Sequence, residues 1–66
     1  MLNEKFGINA GLVWNLLNEK GVMNVKDVKK GTKLTDKDLF AAFGWLARED
    51  KISVVEKDGE LIVSLI

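Results

Sequence analysis

Apolar and polar positions follow two different periods along the chain. From Ile8 to Lys20 the period is helical: Ile8, Leu12, Val13, Leu16 and Leu17 fall on one side of a wheel, and Asn15, Asn18 and Glu19 on the other. A first helix over residues 8–20 follows, stopped by Gly21 in the usual position just past a helix C-terminus. Met1 to Gly7 add a frayed turn, with Gly7 interrupting its continuity with that helix. Val22 and Met23 suffice only for one short edge pairing in a sheet formed elsewhere. Asn24 is a good N-cap for a brief second helix, Val25 to Lys30, which buries Val25 and Val28 and stops at Gly31. So short a helix must rest on tertiary packing.

Thr35 followed by Asp38 has the form of a capping box with Asp in place of Glu, and Asp36 and Asp38 suit the positive end of a helix dipole. The apolar arc through Leu39, Phe40, Ala42, Phe43, Leu46 and Ala47 predicts a third helix from Asp36 to Glu49, with Lys37, Ala41, Gly44, Trp45 and Arg48 on its outer side. The period then changes to two. Asp58-Gly59 favours a two-residue type I′ turn, because both residues tolerate positive φ. Closing a hairpin there pairs Lys57 with Glu60, Val55 with Ile62, Val54 with Val63, Ser53 with Ser64 and Ile52 with Leu65. Ile52, Val54, Leu61, Val63 and Leu65 share the face that covers the helices. Val55, Ile62 and Ile66 lie on the other, among Ser53, Ser64 and the charged pair.

Composition narrows the chemistry. The 66 residues, 47% of them apolar, fit one domain spanning residues 1–66. A chain of this size buries only about 60% of the surface its unfolded form exposes, which leaves a few kcal/mol of stability. It has no Cys, so no disulfide adds to that, and no His. The usual zinc sites and the Ser-His and Cys-His nucleophile systems are therefore excluded; neither a catalytic set, a metal nor a cofactor is expected. Asn3, Glu4, Lys5, Asn9 and Asn15 break up the apolar run a secretory signal needs, and no stretch approaches the ~20 apolar residues of a membrane span, so a cytoplasmic location is expected.

Helix, short strand, short helix, turn, longer helix and hairpin is the order of the winged helix-turn-helix domain, an α+β fold of three helices, a short strand and a C-terminal wing. The turn Gly31-Thr32-Lys33-Leu34-Thr35, with Leu34 as its apolar plug, resembles the turn of such domains. The stretch Phe43 to Ile52 resembles the end of a recognition helix running into the first wing strand, and its Gly-Trp-Leu-Ala-Arg-Glu segment is similar to that of small bacterial winged-helix proteins. The resemblance implies a small DNA-binding or transcription-regulator-like protein whose third helix enters the major groove. It places Thr35, Lys37, Asp38, Ala41, Trp45 and Arg48 on the groove side and Lys26, Lys29, Lys30 and Lys33 against phosphates. The alternative is a non-catalytic interaction or dimerisation module of the same fold that binds no nucleic acid.

Charge divides between these readings. The ten basic and ten acidic residues sum to zero, but residues 26–37 hold five lysines against Asp27 and Asp36, a net charge of +3. Residues 36–50 and 56–60 each carry −2, and acidic groups at a groove oppose the phosphate term that dominates non-specific affinity. Trp45 on the outer side of its helix, flanked by small Ala41 and Gly44 and by Arg48, has the composition of a protein-docking surface. Trp14 joins Ala10 and Leu17 in a second stripe on the first helix. With Trp45, Val55, Ile62 and Ile66, Trp14 and Leu17 make an expected interface for a homodimer formed through the first helix and the outer hairpin face.

Overall fold

A computed structural model describes residues 2–66; the part of the frayed-turn expectation that rests on Met1 lies outside them. The elements are α1 (Leu2–Lys20), β1 (Met23–Asn24), α2 (Val25–Thr32), α3 (Asp36–Arg48), β2 (Ile52–Lys57) and β3 (Glu60–Leu65). The strands form one antiparallel sheet in the order β1-β3-β2, so β3 is paired on both sides. The hairpin has the register its turn and alternation predict, from Ile52 opposite Leu65 to Lys57 opposite Glu60. Asp58 (φ 53°) and Gly59 (φ 81°) supply the two left-handed residues of the turn. The short strand lies one residue later than expected, with Met23 opposite Val63 and Asn24 opposite Ile62.

The core gathers Ala10, Val13 and Leu17 of α1, Val28 of α2, Leu39, Ala42, Phe43 and Leu46 of α3, and Ile52 and Val63 of the sheet. Full burial of each large member is worth roughly 1.5–3 kcal/mol, which is how an eight-residue α2 with one buried side chain is held. α1 differs from expectation in extent and in facing. It is continuous through Gly7, and Ile8 (66% exposed) and Leu12 point outward. Apolar residues surround most of its circumference, so spacing alone leaves the inward stripe undetermined. The stripe through Ala10 wins, and a small residue there allows the close approach of α3, its main helical partner. Asn9 shares this buried side, and its Nδ2 has no hydrogen-bond partner.

Gly31 does not stop α2. The helix runs on to Thr32, and the left-handed residue beyond it is Lys33 (φ 59°), whose N–H donates to the Lys29 carbonyl at 2.8 Å. Gly31 answers a packing demand instead: a Cβ there would lie 2.7 Å from Leu16 Cδ2. α3 ends at Arg48, one residue before the expected Glu49. Its terminus is a Schellman motif, with Asp50 (φ 56°) left-handed, Lys51 N–H donating to Leu46 and Asp50 N–H to Ala47. Two residues placed in its apolar arc, Phe40 and Ala47, are exposed, because the buried arc is the narrower one of Leu39, Ala42, Phe43 and Leu46. Val54 and Leu61 lie on the inner hairpin face toward the wing tip and stay partly exposed, whereas Ile52 and Val63 are covered.

Candidate nucleic-acid interface

The helix-turn-helix unit is fixed by its caps. Asn24 Oδ1 accepts from the Asp27 N–H at 2.9 Å at the start of α2, and Thr35 Oγ1 accepts from the Asp38 N–H at 3.3 Å at the start of α3. Lys33 to Thr35 connect the helices. Leu34 plugs against the core, and the Thr32 hydroxyl donates to the Val28 carbonyl at 2.8 Å while accepting from the Leu34 N–H. The Thr32 side chain thus supplies local partners for backbone groups on both sides of the turn between α2 and α3.

Lys26, Lys30 and Lys33 are all exposed; Lys26 and Lys30, four residues apart, share one side of α2, and Lys33 follows as its left-handed C-cap residue. Lys37 and Arg48 are exposed on α3, Thr35 is exposed at its N-cap, and Ala41 is half-buried between them. Lys29 is engaged differently: its Nζ lies 2.7 Å from Asp36 Oδ1, tying α2 to the first residue of α3. Asp38 Oδ2 lies 3.3 Å from Lys5 Nζ of α1. Both acids at the start of α3 are therefore compensated locally. Lys26, Lys30, Lys33, Lys37 and Arg48 make no ion pair among the described residues. Lys33 occupies a backbone position where a non-glycine residue costs roughly 1–2 kcal/mol, although a glycine stands two residues before it.

The expected interface residues separate. Leu17 is 1% exposed and belongs to the core, so it contacts no partner; it extends the Val13 stripe and is covered for the same reason. Trp14 is half-buried against the core. Trp45, 39% exposed, lines a shallow cleft of about 370 Å³ between α1 and α3 with Gly7, Ala10, Gly11, Trp14 and Glu49. Val55 and Ile66 are exposed and Ile62 is half-buried on the outer hairpin face. Sequence reasoning missed Phe40, which is 49% exposed. The signal was available: Phe40 lies at the margin of a wheel centred on Leu39, Ala42, Phe43 and Leu46.

Comparison with known proteins agrees with this architecture. A family described as a winged helix-turn-helix domain (DUF2582) matches residues 1–65. An uncharacterized protein of Methanocaldococcus jannaschii, MJ1608, is 33% identical over 63 residues, which cover 92% of this chain and 90% of that protein. The solution NMR structure of protein BT2368 from Bacteroides thetaiotaomicron superposes with a TM-score of 0.88 at 32% identity, covering 98% of this chain and 79% of the other. No helix among the described residues is long and apolar enough to cross a membrane.

Proposed function

The chain belongs to the winged helix-turn-helix domain family DUF2582, and on that premise we propose that it binds duplex DNA as a small transcription-regulator-like protein. In this reading α3 enters the major groove and Lys26, Lys30 and Lys33 rest against phosphates. The observation that carries it is the arrangement of charge. Lys26 and Lys30 of α2, Lys33 of the turn and Lys37 in the first turn of α3 make no ion pair among the described residues, while Asp36 and Asp38, whose charge would repel phosphates, are held by Lys29 and Lys5. Three phosphate contacts predict a slope of about −2.7 in log affinity against log salt.

Titration of a random duplex between about 50 and 200 mM salt tests the reading. Lys30→Glu with Lys33→Glu should weaken binding to every sequence and flatten the slope by about 2. Absence of any complex at about 50 mM salt rejects DNA binding. A non-catalytic interaction module working through the Trp14 and Trp45 cleft is then preferred. We also propose that two copies associate through the outer hairpin face, where Val55 and Ile66 are exposed. A single 7.4 kDa species in sedimentation equilibrium at high micromolar concentration overturns that association.

A further inference from the structure

Phe40 and Trp45 are the two large apolar side chains that α3 leaves exposed, and they differ in setting. Trp45 borders the cleft against α1. Phe40 lies early in α3, three residues after Lys37 and next to Ala41 in sequence, and its ring meets buried Phe43 edge to face, with centroids 5.8 Å apart and planes at 75°. That contact holds the ring from behind and leaves its outer surface to solvent. One turn later Gly44 carries no side chain, and no heavy atom lies within 4 Å of where a Cβ would stand, so the surface beside the ring is open. An apolar projection backed by the core, with open helix surface one turn on and placed on the helix whose early residues meet base edges, suits an apolar group at the floor of the major groove. The 5-methyl of thymine is the one the four bases display there, and apolar side chains, Phe included, are its usual contacts.

We infer that Phe40, with Ala41 beside it, is a specificity-determining contact for the 5-methyl groups of pyrimidines, so that the protein favours thymine-bearing sequences. The inference rests on the DNA-binding reading above, and its test separates the two. Affinity is measured at about 50 mM salt for duplex poly(dA-dT) against poly(dA-dU), and for poly(dG-dC) against the same polymer with 5-methylcytosine. Each pair differs only by the methyl. Loss of the methyl should weaken binding about fourfold per contacted group, the equivalent of ~0.8 kcal/mol for one buried CH₂-sized unit. Phe40→Ala should bind the thymine duplex no better than the uracil one. Phe40→Leu should keep part of the difference, and thermal melting of both variants checks that they fold. Salt-dependent binding with equal affinity for the members of each pair overturns the methyl contact and leaves DNA binding standing. A uniform loss on all four duplexes with Phe40→Ala also overturns it. No binding to any duplex overturns both.

Discussion

Gly31→Ala is the substitution whose outcome depends most directly on the packing of α1 against α2. Alanine in a helix is worth up to about 1 kcal/mol over glycine, and about half of that so close to the end of α2. Against this, the new Cβ would stand 2.7 Å from Leu16 Cδ2 and 3.4 Å from Cδ1, where two carbons prefer roughly 3.5–4.0 Å. Leu16 is half-buried and must turn its terminal methyls aside, at about 1 kcal/mol, the low end of what overpacking costs. The net is a loss of about 0.5 kcal/mol, or roughly 2–4 °C in Tm for a domain of this size. In a Leu16→Ala background the obstruction is gone, and the same Gly31→Ala change should stabilise by about 0.5 kcal/mol. Urea unfolding of the four proteins, followed by far-ultraviolet circular dichroism, closes the double-mutant cycle. An effect of the same sign and size in both backgrounds would refute the reasoning, because the sign reversal is what the 2.7 Å approach requires.

Two further substitutions probe single features. Lys33→Gly relieves a left-handed non-glycine residue and should raise stability by about 1 kcal/mol in a thermal melt, while weakening duplex binding and reducing the salt slope by about 0.9. Movement of both properties in the same direction would contradict the role given to Lys33. Asn9→Leu keeps the branching of the side chain and removes a buried donor that has no acceptor, so the midpoint of urea unfolding should rise by the equivalent of about 1 kcal/mol; a fall would show that the amide is satisfied in solution.

The elements with local determinants were legible in the sequence. Asp58-Gly59 pinned the hairpin register to the residue, and Asn24 and Thr35 marked both helix starts because each cap needs only a side chain and an N–H three residues on. Features decided by distant neighbours were not. Which stripe of α1 turns inward depends on where α3 approaches, so Ile8 and Leu12 were placed inside and Ala10 outside the main core stripe. Gly31 carried the composition of a helix stop, yet its reason lies in Leu16, on another element. At the candidate interface the exposure of the lysines could be read directly. The pairing of Asp36 with Lys29 and of Asp38 with Lys5 could not, because each lysine lies on another helix.

Asn24 belongs to two elements at once. Its backbone is the last residue of β1, opposite Ile62 of the wing, and its side chain caps α2. Fraying of the wing away from β1 therefore loosens the cap on the basic helix, and loss of the cap frees the strand. The lysine-bearing helix and the hairpin form one cooperative unit, whose amide protons should become accessible to exchange together rather than element by element. A ligand that clamps the wing would stiffen α2 without touching it, through Asn24 and through the core that Val28 shares with Val63.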